Sequence, residues 1–200
     1  MRIRAATAAD RETAYAIALA TGDEGADASA RHRHPELIGE VYVGPYLAFA
    51  CDHAYVLVDD DDVPSGYVLG VADTREFERR LATDWWPHVR SRTVGIADAT
   101  PADAAMLARI ARPGSAPADV VAAYPAHGHI DLLPDAQGHG HGRALMSRVM
   151  TSLAEAGAPG MHLQVGRTNA RALQFYARLG FERIRQAGDS VFVGRQLAIR

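Results

Sequence analysis

Between His129 and Val165 the chain runs strand, glycine-rich turn, helix, strand, and that order constrains the fold more than any other stretch. His129-Ile130-Asp131-Leu132-Leu133 reads as a strand. Gln137 to Gly142 then interposes three glycines, after which Leu145, Met146, Val149, Met150 and Leu153 recur at helical spacing. Gly157-Ala158-Pro159-Gly160 ends that helix, and Met161-His162-Leu163-Gln164-Val165 reads as a second strand. Two strands joined through so short a helical crossover lie parallel, with a right-handed connection.

The remaining elements surround this unit. Ile3 sits in a short opening strand, and Thr7 is placed as the N-cap of a helix whose apolar stripe is Ala14, Ile17 and Ala18. Gly22-Asp23-Glu24-Gly25 stops it, and residues 37 to 46 read as a short helix and an irregular loop. Ala54–Val58 and Gly66–Val71 form a β-hairpin. Its tip carries Asp59 to Asp62; the alternation and closing Glu of a calcium loop are missing, so a solvated tip is expected. Thr74–Arg90 is helical, with Phe77, Leu81, Trp85 and Trp86 on it. Thr100-Pro101-Ala102-Asp103 opens another helix, with Pro101 in its first position, ending before Pro113-Gly114; Pro117–Ala123 is a short one. Asn169–Leu179 is a helix closed by Gly180, and Ser190–Gly194 starts a final strand. A hairpin added to a parallel pair makes a mixed sheet, in one domain spanning 1–200.

Composition narrows the function. The chain has 200 residues, 48% hydrophobic and 22% charged, which suits a folded core and not disorder. Cys51 is the single cysteine, so neither an intrachain disulfide nor a cysteine zinc site is available. A net charge of −3 argues against a general nucleic-acid or anionic-membrane binder. No stretch approaches a membrane span and the first residues lack a secretory apolar run, so a cytoplasmic protein is expected. Every Lys/Arg position is Arg, which excludes a Schiff-base lysine and a P-loop lysine.

Gln137-Gly138-His139-Gly140-His141-Gly142-Arg143 lies between a strand and a helix. Glycines there let several N–H groups converge, and the helix N-terminus adds partial positive charge. That suits a pyrophosphate, although a plain glycine-rich turn has the same composition. The spacing fits neither a Walker loop nor a dinucleotide fingerprint. His127, His129, His139 and His141 form two His-x-His pairs; the second falls within the glycine turn, and no metal is expected.

A second pattern, Asn169-x-x-Ala172-x-x-x-Tyr176-x-x-x-Gly180-Phe181, follows the second strand. Together with Gln137-x-x-Gly140-x-Gly142 after the first, it resembles the signature of GNAT (GCN5-related) N-acetyltransferases. The resemblance implies an α/β GNAT fold: a mixed central sheet with two splayed parallel strands flanked by helices. It implies acetyl-CoA as cosubstrate and an amine as acceptor. The cofactor arm would pair with the strand His129–Leu133, chiefly at Leu132, and Leu133 is assigned with it. The pyrophosphate would rest on Gln137, Gly138, His139, Gly140, His141 and Gly142, with Arg143 at the helix start. Asn169 matches an asparagine that bonds the cofactor arm, and is equally suited to N-cap its helix. Tyr176 matches a tyrosine near the cofactor sulfur, where it would protonate the departing thiolate; its alternative place is the core.

Tyr42 to Leu47, the hairpin and Leu173–Gly180 also resemble the acetyltransferase-like C-terminal domain of the O-GlcNAcases, which lacks the glycine turn kept here. That family shows that the fold can outlive catalysis. The glutamate that GNAT enzymes commonly use as a base falls at Ala126. The substitutes are His127, His129 and Asp131, which alternate along one strand face. Asp131 is nearest the carbonyl-contacting position and is taken as catalytic with Tyr176; His129 titrates in the right range. Asp23, Glu24, Trp85 and Trp86 are candidates for an acceptor pocket, the tryptophans being equally suited to the core.

Overall fold

A computed structural model describes residues 1–197. Seven strands form one sheet: β1 Arg2–Ala5, β2 Ala54–Val58, β3 Pro64–Val71, β4 Ala126–Leu132, β5 Gly160–Gly166, β6 Glu182–Ala187 and β7 Ser190–Gln196. Their order is β1-β2-β3-β4-β5-β7-β6. Every neighbouring pair is antiparallel except β4 and β5. The expected mixed sheet is therefore present, with β4–β5 as its parallel pair.

Nine α-helices cover it: α1 Arg11–Ala20, α2 Glu36–Tyr42, α3 Gly44–Phe49, α4 Thr74–Arg80, α5 Trp86–Thr93, α6 Pro101–Ala111, α7 Ala118–Ala123, α8 His141–Glu155 and α9 Ala170–Arg178, counted among the described residues. The two-residue period of the strands sorts side chains to two cores. Tyr55, Leu57 and Val68 meet Leu145, Met146, Val149 and Leu153 of α8 on one face. Val56, Tyr67 and Leu69 meet Ala14, Ile17 and Ala18 of α1 on the other. β2 is buried along its whole length because both its faces are covered.

Local chemistry sets the helix ends. Thr100 and Asp103 form a reciprocal capping box on α6, each side chain accepting the other's backbone N–H at 3.0–3.1 Å. Thr7 is an N-cap, as expected, but of a short turn ahead of the α-helix. Its hydroxyl donates to Asp10, a 3₁₀ turn follows, and α1 starts only at Arg11. The 74–90 helix is two helices joined by a π turn at Leu81–Trp85 and reaching Thr93. Residues 36–49 form two short helices where one helix and a loop were expected. At the hairpin tip Asp59 closes the turn on the N–H groups of Asp61 and Val63, while Asp62 pairs with Arg2 and Arg4.

Candidate active site

β4 pairs with β3 over six residues, from His127 to Leu132. Its pairing with β5 covers only Ala126↔Met161 and His127↔His162. Beyond that point β5 continues to pair with β7, and β4 and β5 part. Backbone groups alternate between the two edges of a strand. Leu133 donates its N–H to Ser65 on the β3 side at 2.9 Å, so Ile130 and Leu132 present theirs to the gap. Leu132 fits the assigned edge position. Leu133 turns its N–H to the other side, donating it to Ser65, and its carbonyl accepts from Ala136.

A cavity of about 1410 Å³ opens from this gap, bounded by Leu132, Gln137, Gly138, Gly140, Gly142, Arg143, Asn169 and Tyr176, and reaching past β4. Gly138 and Gly140 have φ of +82° and +84°, conformations that favour glycine, and nothing lies within 4 Å of where a Cβ would stand on either. Gly140 caps α8 directly. This is an open, N–H-lined cradle at the start of a 15-residue helix. His139 and His141 are not among the residues that line the cavity, and their rings lie 6.0 Å apart. Gln137 donates to the Leu132 carbonyl at 2.7 Å and accepts from Arg171. The turn is thus strapped to the strand edge.

Asn169 accepts from the Ala172 N–H at 2.9 Å, which is the N-cap reading; its amide NH₂ has no partner among the described residues. Tyr176 packs with Leu173, Leu179 and Phe181, so it belongs to the core as well as to the cavity wall. Its hydroxyl makes no hydrogen bond among the described residues. Burial, with the charge of Asp131 behind it, raises its pKa well above the ordinary value and keeps it protonated.

His127, His129 and Asp131 share one face of β4, opposite Val71, Leu69 and Tyr67. The Asp131 carboxylate accepts from the Tyr67 hydroxyl at 2.5 Å and from His129 Nε2 at 2.9 Å, through the same oxygen. Tyr42 stacks on the His129 ring at 5.5 Å and 19°. Burial lowers the pKa of His129, but the charge and hydrogen bond of Asp131 outweigh it, and the net shift is upward. His127 behaves oppositely. Thr74 uses its hydroxyl proton on the Pro125 carbonyl at 2.6 Å and so accepts from His127 Nδ1 at 2.8 Å. That fixes the tautomer, and burial pushes the pKa of His127 down to about 3. His127 is therefore neutral, whereas His129 is poised. The sequence favoured His129 over His127 by its titration range alone; it did not point to Tyr67, whose partner is set by strand register.

The acceptor-side candidates divide. Trp86 and Glu24 line the cavity. Trp85 is core, its Nε1 donating to the Glu40 carbonyl at 3.0 Å, and Asp23 is paired with Arg31. Ala126, at the position where a glutamate base was sought, is fully buried. No group of three or more metal-ligating side chains is gathered among the described residues, and no described helix is long and apolar enough to cross a membrane.

Comparison with known proteins agrees with this geometry. Residues 101–183 match the model of the acetyltransferase (GNAT) domain. The chain is similar to protein O-GlcNAcase of Rattus norvegicus, 27% identical over 195 residues that cover 94% of this chain and 21% of that protein. It spans about a fifth of the length of the curated relatives it matches. The crystal structure of SsHAT is 36% identical, with a TM-score of 0.89 and 98% of each chain covered. A phosphinothricin acetyltransferase of Sinorhizobium meliloti, solved with AcCoA, shares the fold at 15% identity and a TM-score of 0.58, over 98% of this chain and 88% of that one. With the signature residues set around parted β4 and β5 strands, the chain belongs to the GNAT acetyltransferase family.

Proposed function

We propose that this chain transfers an acetyl group from acetyl-CoA to a primary amine. The observation that carries the reading is the early parting of β4 from β5, which leaves a strand edge open beside a glycine cradle and an acid–base pair. The cofactor supplies an acetyl group already activated as a thioester. The residues fit it: Ile130 and Leu132 offer edge N–H and carbonyl groups, and Gly138 to Gly142 offer N–H groups to a pyrophosphate, with Arg143 beside them. Gln137 and Asn169 complete the contacts, Gln137 after release from the Leu132 carbonyl.

His129 accepts the proton of the attacking amine, and Asp131 positions the imidazole and stabilises its charged form. Asp131 thus acts through His129, one of its oxygens being engaged by both His129 and the Tyr67 hydroxyl. Tyr176, protonated and without a protein partner among the described residues, donates to the sulfur as charge develops there.

The test is thiol release from acetyl-CoA on addition of a panel of amines, alongside calorimetric titration of acetyl-CoA. Amine-dependent release supports the reading. A second reading, an acetyl-CoA-binding module without turnover, is favoured by the buried Ala126. Tight acetyl-CoA binding without release over the whole panel would select it.

A further inference from the structure

The cavity continues past β4 into a chamber walled by Tyr42, Tyr46, Phe77, Trp86 and Met106. These walls are largely aromatic and apolar, so charged groups among them stand out. Most are already engaged: Arg31 pairs with Asp23, Glu78 with Arg75, Asp131 with His129, and Glu24 accepts from Thr168. Arg109 differs. It lines the cavity from the last turn of α6, and its guanidinium lies 5.7 Å over the Tyr42 ring. It has no anionic partner among the described residues. The same Tyr42 ring stacks on His129. One tyrosine therefore separates a free, fork-shaped cation from the imidazole that would take the amine proton.

We propose that the acceptor is a primary amine bearing a carboxylate on an apolar or aromatic body, its carboxylate held by Arg109 and its amine brought to His129. This rests on the acetyl-transfer reading of the site. A guanidinium offers two parallel N–H donors that match one carboxylate. A single arginine balances a single negative charge; a phosphate dianion would need further cations, and the other arginine on this wall, Arg31, is already paired with Asp23. The aromatic walls take the body of the molecule.

The test compares wild type with Arg109→Gln, an exposed helical position where glutamine keeps the helix. Substrates are the proteinogenic amino acids set beside decarboxylated partners such as phenethylamine and tyramine. The wild type is expected to prefer the carboxylate-bearing member. The substitution should raise its KM about 10- to 100-fold, leave kcat nearly unchanged, and leave the decarboxylated amines unaffected. Equal loss on both members, or a wild-type preference for the decarboxylated amines, overturns the proposal. Should no amine turn over, the same pairs are titrated calorimetrically into CoA-saturated protein. Arg109-dependent binding of the amino acid alone then upholds the carboxylate site while the transfer reading fails. No difference between the pair members overturns the carboxylate site.

Discussion

Gly140→Asp separates the cradle from the fold that carries it. Gly140 has φ +84° and open space around its absent Cβ, so aspartate meets no clash. The left-handed conformation costs a non-glycine residue about 1 kcal/mol, less for Asp or Asn, which visit it more readily. A negative charge at the start of α8 recovers roughly 0.3–1 kcal/mol from the helix dipole. The net change in stability is therefore about 0–1 kcal/mol, a shift in Tm of about 4 °C at most for a chain of this size. Binding behaves differently. A carboxylate roughly 5 Å from each of two phosphate charges, at an effective dielectric near 40, opposes them by about 3 kcal/mol in total. Acetyl-CoA affinity should then fall on the order of 100-fold or more. Gly140→Asn is the matched control, with the same size and backbone tolerance but no charge. The assay is calorimetric titration of acetyl-CoA beside thermal unfolding. If Gly140→Asp and Gly140→Asn bind acetyl-CoA equally, the pyrophosphate does not rest on this turn.

Three further outcomes follow from the geometry. Tyr176→Phe should lower turnover about 10²- to 10⁴-fold in a thiol-release assay with little change in acetyl-CoA affinity; normal turnover would return Tyr176 to the core alone. In the wild type His129 must be neutral to accept a proton, so activity should rise with pH through its upward-shifted pKa; Asp131→Asn removes the partner, burial then dominates, and the inflection should move to lower pH while maximal turnover falls. The sign carries into stability: a raised His129 pKa stabilises the fold below its unfolded value and is lost as pH rises through the folded one, so the two proteins should differ most at acid pH in denaturant melts. Gly128→Ala places a Cβ 2.6 Å from the Leu69 carbonyl oxygen, a backbone atom of the paired strand, and should cost about 1–3 kcal/mol with a loss of several degrees in Tm; an unchanged melt would show that β3 and β4 can separate freely.

The legible part of this fold was the part with strong periodicity or turn chemistry. The α8 stripe and the helix start at Thr100-Pro101 were readable because each depends on residues a few positions apart. Strand β6 was not: Glu182 to Ala187 is polar and largely exposed at the sheet edge, so no buried face writes an alternation into it. The candidate site was legible as two motifs but not as an arrangement. That Asp131 is shared by Tyr67 and His129 follows from β3–β4 register, a relation between residues 64 positions apart. The same distance effect hid Arg109, which reaches the chamber only because α6 packs near α2. Trp85 and Trp86 are adjacent in sequence but one reaches the cavity and the other does not, because neighbouring helical side chains point in widely different directions.

The parting of β4 from β5 also bears on how the protein keeps its own company. An exposed strand edge with unpaired backbone groups is a template for another extended chain, and crowded proteins that display one tend to stick. Here the edge lies inside a cleft, and the Gln137 side chain sits on its Leu132 carbonyl. The amide of one glutamine thus occupies a carbonyl that a neighbouring strand would otherwise bond. A molecule built this way should be less prone to self-association when saturated with its ligand than when empty, so that occupancy serves solubility as well as chemistry.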